Sequence, residues 1–173
     1  PFFSTFVQCG LPLLDFGSKS QKEAFLPGIA EKGDIWSLAH TEATNSEMVA
    51  GIKLVAKEEG ADYILNGTKL FVSYANSARY FLVSALTRPE TGTEDIITLF
   101  VVDANSDGVT MAQMPTTAHD KRFEVTFTDV RVPAERILGG LSKGWTVLQK
   151  TMQSAAVLKA AEMSGGAAAA LQL

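Results

Sequence analysis

Tyr63-Ile64-Leu65-Asn66-Gly67-Thr68-Lys69-Leu70-Phe71-Val72-Ser73 carries the clearest β pattern in this chain. Aromatic and β-branched residues form two short runs, Tyr63–Asn66 and Lys69–Ser73, divided at Asn66-Gly67. An Asn-Gly pair tolerates the positive φ that a type I′ turn needs at both central positions, so the spacing predicts a two-residue β-hairpin. Similar runs recur at Ile35–His40, Ile52–Ala56, Tyr80–Leu86, Ile96–Val102, Val109–Ala112 and Phe123–Val130, with a polar, aperiodic loop over residues 88–94. So many short strands within about 100 residues imply a small antiparallel barrel or two packed antiparallel sheets.

Both flanks change period. Residues 1–33 read as helical: Phe3, Phe6 and Val7 fall on one face, Gly10 and Pro12 interrupt it, and Ser20 with Glu23 forms a capping box before a second helix. Pro27 is expected to start a further turn. From Lys143 onward the pattern is helical again, with Leu148, Met152, Ala155, Ala156 and Met163 on or near one face. Gly165-Gly166 weakens that helix by about 1 kcal/mol per glycine, a cost accepted where another backbone approaches closely. The expected organisation is therefore α+β: the end of a helical domain over residues 1–33, a β-domain over 34–141, and the first helix of a further helical domain over 142–173. The chain starts at Pro1 within an apolar segment and closes in an uncapped alanine-rich helix, as a piece of a longer protein would.

Hydrophobic residues make up 46% and charged residues 20%, a globular composition. With 15 Lys and Arg against 19 Asp and Glu there is no basic tract, which argues against a nucleic-acid partner. Cys9 is the only cysteine, so it cannot form an intrachain disulfide and is read as a small buried hydrophobe. No Cys or His cluster suggests a metal. No apolar run reaches the length of a membrane span, and no secretory signal is visible; a cytoplasmic or mitochondrial-matrix setting is the default expectation.

Hydroxyl side chains concentrate in Thr41-Glu42-Ala43-Thr44-Asn45-Ser46-Glu47 and in the Lys69–Ser73 run, next to strand edges where backbone N–H groups are free. Such an edge can hold a polar planar ring without charge. Together with Asp129-Val130-Arg131-Val132-Pro133 and Gly144-Trp145, these motifs stand in the order and rough spacing of the acyl-CoA dehydrogenases, which the chain resembles over nearly its whole length. The resemblance implies FAD as cofactor and an acyl-CoA thioester as substrate. It also implies an electron-transfer flavoprotein as electron acceptor and a homo-oligomeric parent, with no membrane insertion.

Carried over residue by residue, Leu38-Ala39-His40-Thr41-Glu42 resembles the family strand whose backbone and threonine hydroxyl contact the pyrimidine side of the isoalloxazine. That implies Leu38, His40 and Thr41 as cofactor contacts, Thr41 foremost. His40 stands where the family commonly has an apolar residue, so it is either a polar contact to cofactor or substrate or a structural histidine. Ser46 keeps the serine of the family's glycine-rich loop and is implied for both cofactor and substrate, although here the loop is one residue shorter and lacks glycine. Phe71-Val72-Ser73 resembles the family segment whose aromatic residue packs on the flavin and whose hydroxyl lies near N5. Gln153 is implied as a substrate contact. His119-Asp120-Lys121-Arg122 departs from the family pattern and reads as charged surface.

The family's chemistry removes the α-proton of the thioester with a glutamate while the β-hydride passes to flavin N5. At the position where a minority of members carry that glutamate, this chain has Ala155, followed by Ala156. Glu162 lies about 10 Å further along the helix axis. No catalytic base is therefore expected within the chain, and the base is expected beyond Leu173. A flavin oxidase, monooxygenase or alkylation-response relative on the same fold is the alternative chemistry. A non-catalytic β-barrel binding module is the alternative class.

Overall fold

The computed structural model describes residues 1–43, 51–87 and 96–172. The N-terminal region runs as a π-helix over Phe3–Gly10, α1 over Leu11–Phe16 and α2 over Lys19–Glu31. The wider π turn breaks the 3.6-residue pattern read from the sequence: Val7 is buried while Phe6 faces out. Gly10 and Pro12 do not interrupt the helical path. Pro12 sits in the first turn of α1, where a missing N–H costs little. The capping box also lies two residues earlier than expected. Ser18 accepts from the Gln21 N–H at 3.2 Å, and the Ser18 N–H donates to Gln21 Oε1 at 3.0 Å. Pro27 is inside α2 rather than at a start, and the helix persists because Phe25 and Ile29 are buried on either side of it.

Eight strands follow among the described residues: β1 (Ile35–Ala39), β2 (Val55–Glu59), β3 (Asp62–Ser73), β4 (Ala78–Leu86), β5 (Ile97–Asp103), β6 (Val109–Met114), β7 (Arg122–Pro133) and β8 (Ile137–Leu138). They form one open, mostly antiparallel sheet in the order β6-β7-β3-β2-β4-β5-β8, with β1 added parallel to β4. The sheet curls so that strands distant in its order face each other across one core. Phe81 of β4 meets Phe127 of β7 with centroids 6.3 Å apart, and Tyr63 of β3 meets Phe100 of β5 at 5.2 Å, although neither pair of strands is adjacent. This inner core takes alternate residues of β4, namely Phe81, Val83 and Ala85. Between them, Tyr80, Leu82 and Leu86 point the other way, into a second core beneath the helices that includes Leu13, Trp36 and Leu148. Cys9 is buried in that second core, as its composition suggested, and burial pushes its thiol pKa up.

The expected hairpin at Asn66-Gly67 is not formed. β3 runs unbroken through it, and the turn lies instead at Gly60-Ala61, where Glu59 pairs with Asp62. The reason is tertiary. Asn66 uses its side chain across the sheet, donating from Nδ2 to Asp129 at 2.9 Å and accepting from the Asp129 N–H at 3.0 Å. Gly67, at φ 145°, marks a register shift where the strand passes so close to Leu54 that a Cβ would lie 2.8 Å from its Cα. The pair Asn-Gly thus encodes a bulge rather than a reversal.

The last helix, α3, spans Gly144–Ala170, and its buried residues end at Ala155. Beyond that point Val157 and Met163 are exposed, and nothing lies within 4 Å of a Cβ built on Gly165 or Gly166. The close backbone approach expected at those glycines is not made among the described residues. No helix among the described residues is long and apolar enough to cross a membrane.

Gly67→Ala should destabilise the fold by about 1–3 kcal/mol, because the added methyl meets backbone and adopts a disfavoured φ. Urea unfolding followed by circular dichroism measures it. A midpoint equal to that of the parent would mean that the passage beside Leu54 is not tight.

Candidate functional site

β1 alternates sides. Trp36 and Leu38 join the helix-side core while Ala39 joins the inner core, and the same alternation carries His40 toward α3. The chain then leaves the sheet at Thr41, whose carbonyl accepts from the Leu70 N–H at 2.8 Å. Glu42 turns inward. Its carboxylate meets the Lys69 ammonium at 2.6 Å and also accepts the backbone N–H groups of Lys53 and Leu54 at 2.9 and 3.1 Å. Lys69 is fully buried, and its other two donors go to the His40 carbonyl at 3.2 Å and Ser84 Oγ at 3.1 Å. Every ammonium proton has an acceptor. Lys69, Glu42 and Ser84 are not among the expected site residues, although a lysine inside a β-type run is itself a signal, since a buried charge needs a partner.

Burial lowers the Lys69 pKa to about 8, against the opposing pull of Glu42. Burial likewise holds the His40 imidazole down at about 4, with the Lys69 charge adding to the effect and Glu42 opposing it. His40 Nδ1 lies 3.0 Å from Ser84 Oγ. A chain of hydrogen bonds therefore runs from the buried ammonium through a serine to the imidazole.

α3 is seated on the sheet by Gly144, where a Cβ would stand 2.9 Å from the Ile97 carbonyl oxygen and 3.0 Å from the Leu99 nitrogen. That contact brings the first turns of α3 over the end of β1. Between them lies a cavity of about 400 Å³ lined by His40, Thr41, Trp145, Leu148, Gln149, Met152 and Gln153. Its walls are apolar and its edge is polar and uncharged. Trp145 Nε1 is buried beside it without a partner among the described residues.

The expected site residues do not all converge. His40, Thr41 and Gln153 share this cavity, whereas Ser73 lines another of about 460 Å³ together with Tyr74, Arg122, Lys159 and Glu162. Leu38 is half-buried against the helix-side core, and the Val72 side chain is in the inner core. A register shift between Lys69 and Val72 buries both of these residues and turns Phe71 outward, 48% exposed at φ 56°. By simple alternation Phe71 would have shared the face of Lys69. Ser46 lies outside the described residues. In the loop read as charged surface, His119 and Lys121 are exposed, but Arg122 is not merely solvated. It donates to Asp120 at 2.6 Å and to Ser73 Oγ at 2.6 Å, so it orients the serine, a role invisible in the sequence. A hydrogen bond from Thr116, then one from Arg122, lowers the Asp120 pKa. Glu162 is paired with Lys159 at 2.7 Å, and Ala155 is buried.

Residues 37–130 match the family model for the acyl-CoA dehydrogenase middle domain. The chain belongs to the acyl-CoA dehydrogenase family. It is 30% identical over 172 residues to the short-chain specific acyl-CoA dehydrogenase of Megasphaera elsdenii, covering 97% of this chain and 45% of that protein. The solved butyryl-CoA dehydrogenase of Megasphaera elsdenii superposes with TM-score 0.83 at 28% identity, over 88% of this chain and 41% of the other. A prolyl acyl carrier protein oxidase superposes with TM-score 0.84 at 27% identity, over 88% and 41%. The chain thus spans less than half the length of these relatives.

Lys69→Met should cost about 3–5 kcal/mol, because it strands the Glu42 carboxylate in the interior, and adding Glu42→Gln should recover part of the loss. Denaturant unfolding of the two variants tests this, and equal stability of single and double variants would refute the coupling.

His40 gives a pH signature. The unfolded chain, with an ordinary imidazole near 6.5, takes up a proton that the folded chain refuses until about pH 4. Stability should therefore fall as pH drops from about 6.5 to about 4, by up to about 3 kcal/mol. The difference between parent and His40→Phe across that window isolates the histidine's share.

Proposed function

We propose that this chain forms the flavin-edge and thioester-edge portion of an FAD-dependent acyl-CoA dehydrogenase. The reaction converts a saturated acyl-CoA to a 2-enoyl-CoA and delivers electrons to an electron-transfer flavoprotein, within a homo-oligomer. The observation that carries this reading is the cavity between β1 and α3, with apolar walls and a neutral hydrogen-bonding edge of His40, Thr41, Gln149 and Gln153. An isoalloxazine is apolar on its faces and carries carbonyl and N–H groups along one edge, so this donor set fits it, and the buried charges of Lys69 and Glu42 are paired with each other. When bound, FAD supplies a two-electron acceptor.

In this reading the ring spans the two cavities: Leu38, His40 and Thr41 hold it from the β1 side, with Thr41 as the principal contact, and Ser73 meets it from the other. Phe71, turned outward, offers its ring as a packing surface, with Val72 as its buried anchor. Ser73, fixed by Arg122, presents a hydroxyl whose own proton is free to be donated, and Ser46 retains its proposed role toward cofactor and thioester. Gln153 holds the thioester arm. The proton-abstracting base is supplied from outside these residues, since the matching position is Ala155 and Glu162 is engaged by Lys159.

The structural likeness to an acyl carrier protein oxidase supports a second reading, in which dioxygen replaces the electron-transfer flavoprotein. Two measurements on the protein that carries this chain separate the possibilities. Absorbance in the flavin bands tests for FAD, and anaerobic bleaching by acyl-CoA followed by reoxidation with either acceptor distinguishes dehydrogenase from oxidase. A colourless protein indifferent to acyl-CoA would leave a binding module. Within the first reading, Gln153→Ala should raise KM for acyl-CoA several-fold with kcat unchanged, the pattern of lost uniform binding. Ser73→Ala should slow bleaching by about tenfold or more at full FAD occupancy. Unchanged bleaching would make Ser73 a structural residue.

A further inference from the structure

Three groups in line fix which nitrogen of His40 carries the proton. The Lys69 ammonium can only donate, and it donates to the Ser84 oxygen at 3.1 Å. Ser84 is fully buried, and among the described residues its other polar contact is His40 Nδ1 at 3.0 Å. The serine proton therefore has one acceptor, Nδ1, and the imidazole must carry its own proton on Nε2. If Nδ1 bore the proton, Ser84 would accept twice and leave its hydroxyl hydrogen buried without a partner, at a cost of about 1–3 kcal/mol. Nε2 has no partner among the described residues, and His40 lines the cavity with Thr41 and Gln153.

Resting on the flavin reading above and extending it, we infer that His40 is a neutral hydrogen-bond donor, locked in its Nε2–H tautomer by Ser84 and Lys69, that binds a carbonyl oxygen in the cavity. The acceptor is a ring carbonyl of the flavin or the carbonyl of the thioester. The ammonium at the far end of the chain polarises each bond in it, so the Nε2–H is a stronger donor than an isolated imidazole while bringing no full charge into the cavity. Burial keeps the ring neutral at physiological pH. A phenylalanine or valine at this place would fill the space and offer no donor. Ser84 and Lys69 act through His40 and are positioning residues.

The tautomer is read in the full chain without cofactor, by long-range proton–nitrogen NMR of the imidazoles. The chain has only two histidines, so His119→Gln assigns the spectrum. At pH 7 His40 should show a protonated Nε2 and a bare Nδ1 whose nitrogen signal is displaced by the hydrogen bond it accepts, and Ser84→Ala should remove that displacement. A proton on Nδ1, or an Nδ1 signal unchanged in Ser84→Ala, overturns the inference.

Titrations with FAD and, separately, with butanoyl-CoA then identify the acceptor. His40→Phe should weaken the probe whose carbonyl is held by roughly 3- to 10-fold, and His40→Gln, which keeps an N–H donor, should restore most of it. If the flavin carbonyl is the acceptor, the midpoint potential of bound FAD also becomes more negative, by about 30 mV for a tenfold change in a two-electron couple. If the thioester is the acceptor, the potential stays and only butanoyl-CoA affinity falls. Should His40→Phe alter neither titration, the inference fails. A protein that takes no FAD removes the flavin reading, and the thioester titration alone then decides this one.

Discussion

Everything near the cavity hangs on one buried ion pair, Lys69 with Glu42. The lysine side chain has no solvent exposure and the glutamate only 8%, so both ions have lost their hydration and can be tolerated only if each hydrogen-bonding position is filled. They are filled by structure that the pair itself holds in place. The ammonium ties down the carbonyl of His40 and the hydroxyl of Ser84, and the carboxylate collects two backbone N–H groups from residues 53 and 54. The end of β1, the middle of β3, the middle of β4 and the approach to β2 are thus joined at one point. Exposed pairs elsewhere, such as Arg131 with Glu59 and Asp62, brace the sheet but are screened by water and contribute little.

The position of Thr41 follows from that junction. A strand that simply ended at Ala39 would leave the next residues free to wander. Here the Thr41 carbonyl is bonded to β3 and Glu42 is drawn inward, so the two residues between strand and ion pair are displayed toward α3 with their backbone fixed. α3 is fixed independently, by Gly144 lying against the backbone of β5. Two separately anchored elements thus face each other across the cavity, a condition under which a site holds its geometry.

On the other side of β3 the same buried lysine has a second effect. Seating both Lys69 and Val72 in the interior requires the strand to slip its register, and Phe71 absorbs the slip in a left-handed conformation that a bulky side chain rarely adopts. The strain displays an aromatic ring at the surface. Ser73 follows, held by Arg122, which reaches it from β7. The two halves of the expected site are therefore built by different cross-strand contacts, and within this chain they line separate cavities.

Local sequence determined the division into helical, β and helical zones, the strand runs of β1, β4, β5 and β7, and the hydroxyl-rich motifs at Thr41 and Ser73, because each rests on short-range periodicity or on residue types at fixed spacing. It did not determine where β3 turns. Asn66-Gly67 has the local chemistry of a reversal, and only the partners Asp129 and Leu54, distant in sequence, convert it to a bulge. The capping box was misplaced for a milder reason: Ser18 and Ser20 are both competent caps, and the choice depends on Gln21, whose side chain also bonds the carbonyls of Glu135 and Ile137. The exposure of Phe71 and the hold of Arg122 on Ser73 likewise come from tertiary contacts. Each depends on a contact between residues far apart in the chain, and the cost of burying a charge or an unpaired hydroxyl cannot be assigned until the fold shows what surrounds it.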